Sequence, residues 1–334
     1  MSAGVHLVGT FATQERWLTL VIAYLFLGGL GAALIAISTF TDRYFRPSPA
    51  LTRWGIYSGV VFLGVGSLLL LFHLLHPVRA WEVLLPWNPL LHPTSWIAWG
   101  TQFIIWSMVF AMLYAWPRVH EGWTTRLFAR VGVMSWLARW CERFATPFAW
   151  LAILNALATV VYTGLLLRSF PAVALWHNPL VPALFTVSAL STGLAYLLLV
   201  QYAVLREHGP IARVYERLDV LLIIVEMVLV GLLLFAVLPA SASGRASYAL
   251  LMGSWGWILG FMVLGLLVPL LLEIKGSLKG WNSPLPVVTA AVLVLVGGYL
   301  LRHYFLGSGV YYFPWANAHQ LGVLGSDVVS HVLR

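Results

Sequence analysis

The chain has 334 residues, 61% of them hydrophobic and only 9% charged, with a formal net charge of +8 and a mean hydropathy of +0.89. Soluble domains carry about 25% charged residues, so the composition excludes a soluble globular protein. The positive charge points to basic loops beside a membrane rather than to nucleic acid. A single cysteine, Cys141, excludes a disulfide framework and any iron–sulfur cluster held by this chain alone. Residues 1–16, MSAGVHLVGTFATQER, lack a basic n-region and a cleavage site, so no removed signal peptide is expected.

A membrane-crossing helix takes about 20 apolar residues. In sequence order, the apolar runs predict spans over Trp17–Phe40, Trp54–Leu75, Ser95–Trp116, Pro147–Leu167, Leu180–Tyr202, Val220–Leu238, Leu250–Leu272 and Pro284–Leu301. No run alternates apolar and polar residues as a barrel strand would. The expected fold is therefore an all-α integral membrane protein of eight transmembrane helices. It forms one membrane domain over 1–334, with two four-helix groups over about 17–167 and 180–301 and a tail over 304–334 packed on the membrane surface or against a partner. GGLGAA (28–33) in the first span resembles SALSTG (188–193) in the fifth. Either the two groups are parallel repeats or small-residue packing faces resemble each other by chance. The 117–146 segment mixes arginines with Trp123, Leu127, Phe128, Trp136 and Trp140 and reads as one or two interfacial helices, with a partner-docking role as the alternative.

Basic residues set the expected orientation. Thirteen of the 19 Lys and Arg follow spans 1, 3, 5 and 7. The other six are Arg16, Arg79, Arg168, Arg245, Arg302 and Arg334. Because Lys and Arg accumulate on the cytoplasmic side, both termini are expected to face outward from the inner (cytoplasmic) membrane.

Ionisable groups in or beside a bilayer are costly, so their positions are informative. His73 and His76 lie one turn apart, followed by Arg79, Glu82 and His92; Gln14, Glu15 and Arg16 precede the first span; Tyr162 lies within two turns of the end of the fourth. Each set has an ordinary reading as interfacial anchors or a core hydrogen bond, but all three share one predicted depth, as a common pocket would. Glu226 lies seven residues, about 10.5 Å of helix, beyond Asp219 and on a similar face. A carboxyl at that depth must be protonated or paired. It is either a structural hydrogen-bonding group or a step in a proton path, with Asp219, beside Arg217, expected to remain ionised. Of ten histidines only His73 falls in a predicted span, so neither an axial haem pair nor a metal site is expected.

Several strings together resemble the NrfD-like family, which includes the polysulfide reductase membrane subunit. These are YLFLGGLGAAL, NPLLHPTSWIAWG, VVYTGLLL, LWHNPLVPALFTVSALSTGLA, the Asp219 and Glu226 pattern, the Gly253, Gly265 and Pro269 spacing, and GGYLLRHY. The resemblance covers nearly the whole chain in order. It implies a haem-free eight-helix subunit that exchanges electrons between menaquinone or ubiquinone, as bound substrate, and a ferredoxin-like iron–sulfur subunit, with a molybdopterin-type catalytic subunit, on the outer face. It places the quinone site among spans 1, 2 and 4. The family tyrosine falls on Tyr162 and the polar residues before span 1 fall near Gln14 and Glu15. His73, His76 and Arg79 complete the candidate quinone-binding set, while Asp219 and Glu226 form the candidate proton path. Many members carry Asp-Leu-Gly-Arg-Pro after span 2, where this sequence has His73-Leu74-Leu75-His76-Pro77; His73 can take over a titrating role there. The alternative readings are a transporter or proton channel, and a passive anchor without a quinone site.

Overall fold

In an apolar run rich in Leu, Val and Ala, a helix is the form that satisfies every backbone N–H and C=O within one segment. A computed structural model describes residues 15–73, 80–119, 132–171, 173–207, 209–279 and 284–310. Among them are eight helices long and apolar enough to cross a membrane and no strand. We label them α1 (Glu15–Tyr44), α2 (Pro49–His73), α3 (Trp96–Val119), α4 (Ala145–Arg168), α5 (Leu180–Leu199, continued as a π-helical turn Val200–Leu205), α6 (Pro210–Leu232, continued through a π turn Leu233–Val237), α7 (π-helical over Gly256–Leu267, then α-helical over Val268–Lys279) and α8 (Leu285–Gly307). Short helices Ala80–Leu84, Asn88–Leu91, Gly132–Arg143 and Ala242–Met252 fill the connections. The ends of α1, α3, α5 and α7 and the described residues after them, which carry Arg43, Arg46, Arg53, Arg139, Arg143, Arg206 and Arg213, form the arginine-rich end of the described structure.

Both four-helix groups pack by one plan. In the first, α1 lies on α2 and α4, and α3 lies on α4; in the second, α5 lies on α6 and α8, and α7 lies on α8. The groups meet along α1 and α5, flanked by α1–α8 and α4–α5 contacts. The GGLGAA and SALSTG segments are the crossing point. A Cβ on Gly29 would sit 3.2 Å from the Cβ of Ala189, and one on Gly193 would sit 3.0 Å from the Cβ of Ala33. Each residue thus faces its counterpart 160 positions away, as residues on a two-fold axis do, which favours the parallel-repeat reading over chance. Gly265 and Gly297 bring α7 and α8 into backbone contact, since a Cβ on either would stand 2.6 Å from the other's Cα.

Several boundaries differ from the sequence expectation, among them the start of α2 at Pro49 rather than Trp54 and the end of α7 at Lys279 rather than Leu272, and three have a plain physical reason. α6 starts at Pro210, ten residues before Val220, because Glu216 and Asp219 are buried inside the helix and interrupt the apolar run without ending it. The predicted seventh span over Leu250–Leu272 is divided: Ala242–Met252 is a separate helix, capped by Ser241 through its side chain, and the span begins at Gly256. α8 continues past Leu301 to Gly307, taking Arg302 into the bundle at 0% exposure. Arg302 therefore leaves the count of surface charges that sets orientation, and thirteen basic residues are opposed by five. Of the 117–146 segment, Gly132–Arg143 is helical, with Trp136, Arg139 and Trp140 exposed and Cys141 buried, as an interfacial helix requires. Of the tail, residues 304–307 complete α8 and Val310 accepts a 2.6 Å hydrogen bond from Ser243 Oγ; 311–334 lie outside the described residues.

Candidate functional site

Among the described residues of the first half, the buried polar side chains are hydroxyls and one amide, with no carboxylic acid or basic group. Tyr162, six residues before the end of α4, and Tyr24, nine residues into α1, are each 1% exposed, and their hydroxyls share a 3.3 Å hydrogen bond. The Tyr162 ring lies on Gly100 in the second turn of α3, where any Cβ would collide with it. Gly100 is thus required by close approach, and α1, α3 and α4 each contribute to the seat. Two hydroxyls joined by one hydrogen bond use one proton between them, so the second O–H is left to donate to another acceptor. On the same two turns of α3, Trp96, Trp99 and Phe103 with Pro93 and Thr94 line an open cleft of about 430 Å³. At the arginine-rich end of this half, Asp42 accepts hydrogen bonds from Thr52 (3.0 Å) and Tyr114 (2.5 Å), tying α1 to α2 and α3.

The second half is built around ionisable groups. α6 buries Ala212, Tyr215, Glu216, Asp219, Ile223, Glu226 and Val230 along one stripe and exposes Leu218, Leu221, Ile224, Val228 and Phe235. The helix is amphipathic in the membrane sense, with its acids turned inward. Glu226 interacts with the Ser188 hydroxyl and the Arg302 guanidinium. Arg302 donates to Ser188 Oγ at 2.9 Å and to the Gly298 carbonyl at 2.7 Å, and lies over the rings of Phe185 (5.3 Å) and Phe26 (5.8 Å). Ser188 therefore links cation and acid. Two turns back along α6 from Glu226, Asp219 accepts a 2.5 Å hydrogen bond from Ser191, one turn on from Ser188 in α5. It faces Glu273 of α7, although neither Glu273 oxygen forms a well-shaped hydrogen bond. Glu273 also senses Glu216, which accepts a 3.2 Å hydrogen bond from Tyr202. Arg302–Ser188–Glu226, Ser191–Asp219, Glu273 and Glu216–Tyr202 thus form a ladder from the interior towards the arginine-rich end. Orphaned buried atoms along it (Arg302 Nε and Nη2, Asp219 Oδ2, both Glu273 oxygens) are the kind of groups that internal waters satisfy.

The structure brings together part of the sequence-predicted set. Tyr162 is seated as described, with Tyr24 as an unpredicted partner, although Tyr24 opens the YLFLGGLGAAL string. Gln14, His76 and Arg79 lie outside the described residues. Glu15 and His73 are the terminal residues of α1 and α2, with side chains also outside the described set. Asp219 and Glu226 do share the buried stripe. However, Asp219 is fully buried, and the groups it interacts with are Ser191, Glu273 and Glu226 rather than Arg217. Glu273 and Arg302 were missed, the first because it sits beside the Lys275 loop and the second because it lies past the apolar run. Glu216 had a signal in the sequence, three residues before Asp219 and hence on its face.

Fold and site together define a polytopic helical membrane protein whose two like-packed halves carry different polar chemistry, neutral hydroxyls in one and a buried acid ladder in the other. The family model described as "Polysulphide reductase, NrfD" matches residues 10–314, and the chain belongs to that family. Protein NrfD of Escherichia coli (strain K12) is 28% identical over 310 residues, covering 86% of this protein and 93% of the relative. The C subunit of the polysulfide reductase of Wolinella succinogenes is 26% identical over 306 residues, covering 88% and 94%. The protein NrfD homolog of Haemophilus influenzae is 24% identical over 310 residues, covering 88% and 94%.

Proposed function

We propose that this protein is the quinone-reacting membrane subunit of a multi-subunit respiratory oxidoreductase, passing electrons between quinone and an iron–sulfur partner that serves a molybdopterin-type catalytic subunit on the outer face. The observation that carries the reading is the buried Tyr24–Tyr162 pair, whose hydroxyls share one hydrogen bond and so leave one O–H to donate, with the Tyr162 ring seated on Gly100 in the same turns of α3 that carry Trp96, Trp99 and Phe103. A quinone carbonyl is an acceptor and its ring is flat and apolar, so a spare hydroxyl in an aromatic setting suits its head group. Family membership and the relatedness to a polysulfide reductase subunit support a subunit role. In this reading Tyr162 orients the head group and Tyr24 orients Tyr162. Gln14, Glu15, His73, His76 and Arg79 complete the polar wall and exchange protons with the outer water.

The second-half ladder supports proton movement coupled to this chemistry. Quinone reduction consumes two protons and quinol oxidation releases two. A series of carboxyls and hydroxyls from the arginine-rich end through Glu216, Glu273, Asp219 and Glu226 is suited to relaying them. The test of the quinone site is Tyr162→Phe, which keeps the ring and removes the hydroxyl. Turnover with a quinol analogue is expected to fall about tenfold, in keeping with loss of one buried hydrogen bond, while the complex still assembles. Unchanged turnover in an assembled complex would return Tyr162 to a packing role and favour the passive-anchor reading.

A further inference from the structure

The arginine-rich end carries a cluster of cations and aromatics that the site above does not use. Arg43, in the last turn of α1, reaches across to α4, with Nη2 3.5 Å from Thr146 Oγ1. Arg143 closes the Gly132–Arg143 helix three residues before Thr146, and Arg139 lies one turn earlier on the same face. All three arginines are exposed. Glu142, exposed on the same helix between Arg139 and Arg143, is the one acid of that helix, so the cluster keeps a net positive charge; the nearby Asp42 accepts from Thr52 and Tyr114. Tyr44, the residue after Arg43, packs edge-on against Trp150 (6.2 Å), one turn into α4 from Thr146, and on Phe40 (4.8 Å), one turn back along α1, and Tyr44 and Trp150 remain 54% and 42% exposed. The support is closely packed: Trp140, Phe144 and Phe148 meet one another in tilted ring contacts and Phe148 stacks on Phe110 of α3, and the Cys141 face of the helix is buried.

Cations beside exposed Trp and Tyr, at the junction of two spans and an interfacial helix, form a mixed surface. The cations match a phosphodiester and the aromatic rings match the glycerol and first acyl carbons next to it. A guanidinium binds phosphate oxygens through paired N–H groups. Two arginines from different helices, one bonded to Thr146 and the other three residues before it in the chain, would hold one headgroup more specifically than a diffuse basic surface does. We infer that Arg43, Arg143 and Thr146, with Arg139 one turn away and Tyr44 and Trp150 beside them, form a binding site for one anionic phospholipid of the leaflet at the arginine-rich end. Such a lipid would fasten the interfacial helix to the α1–α4 seam. This lipid site is independent of the quinone reading.

The test uses the purified full-length protein in mixed micelles containing phosphatidylglycerol and phosphatidylcholine, with retained lipid measured by native mass spectrometry. The wild type is expected to retain phosphatidylglycerol in preference. Arg43→Gln and Arg143→Gln are each expected to lower that retention about fivefold, the equivalent of one arginine at an anionic surface. Arg53→Gln removes the same charge at the same end, from a side chain turned to the Pro49 carbonyl, and is expected to leave retention unchanged. Equal retention of the two lipids by the wild type would overturn the inference. So would an equal loss in Arg53→Gln, which would reduce the effect to total charge. Tyr162→Phe provides a further arm: it should leave lipid retention intact even where quinol turnover falls.

Discussion

The two halves of this protein share a packing plan and differ in what they bury. Each has its first helix against its second and fourth, and its third against its fourth. In each, the last helix carries a large polar side chain a turn or two from its end: Tyr162 in α4 and Arg302 in α8. Tyr162 meets a second hydroxyl, whereas Arg302 meets Ser188, two aromatic rings and the charge of Glu226. The helices differ too. The first four are α-helical throughout, while α5, α6 and α7 include π-helical turns, which occur mostly at functional positions. One scaffold thus carries two kinds of buried polar chemistry. A neutral hydrogen-bonding seat suits an apolar ligand such as the quinone proposed above, whereas a row of ionisable groups would be a costly place to put an apolar ring.

The largest expected effect comes from breaking the charged half. Arg302→Met removes the guanidinium that donates to Ser188 and the Gly298 carbonyl and whose charge Glu226 feels, and loss of a buried charge with its hydrogen bonds is expected to cost about 3 kcal/mol. The unfolding midpoint in detergent should drop accordingly, and adding Glu226→Gln should restore most of the loss. The pair of glycines that seat the tyrosines of α4 and α8 sharpens the contrast. A Cβ at Gly100 would collide with the Tyr162 ring and one at Gly256 with Tyr304, so Gly100→Val and Gly256→Val should each cost about 1–3 kcal/mol through overpacking. Only the first should abolish quinol-linked turnover in complexes that remain assembled. A smaller effect is expected for Tyr24→Phe, which removes the partner hydroxyl of Tyr162. Stability should fall by about 1 kcal/mol, and turnover should decline less than in Tyr162→Phe, because Tyr24 acts through Tyr162.

Much of this architecture was legible in the sequence, and the exceptions have one physical origin. An apolar run reports what faces lipid. It locates α1 to α5 closely because their buried faces are mostly Ala, Gly, Ser, Thr and Leu, which do not interrupt hydropathy. It fails at the start of α6 and the end of α8, where buried charges, Glu216, Asp219 and Arg302, read as loop. The Leu250–Leu272 run concealed a helix break at Gly253 and Ser254 for the converse reason, since two helices with apolar faces adjoin without a polar interval. Within the site, Tyr162, Asp219 and Glu226 stood out singly. Their partners did not: Tyr24 is 138 residues from Tyr162 and Ser188 is 114 from Arg302, and no local period encodes such pairings. The resemblance between GGLGAA and SALSTG was visible, but that the two segments face each other was not.

The central claim is that quinone chemistry belongs to the first half and proton movement to the second. The measurement that tests it most directly is simultaneous recording of electron turnover and proton movement by the intact complex in sealed vesicles, for Tyr162→Phe and Glu226→Gln. The account predicts that Tyr162→Phe lowers turnover and leaves protons per electron unchanged, whereas Glu226→Gln, similar in size but unable to carry a proton, retains turnover and lowers protons per electron. If both variants change the same quantity, or if Glu226→Gln leaves the proton-to-electron ratio at the wild-type value, the division of labour between the halves is contradicted.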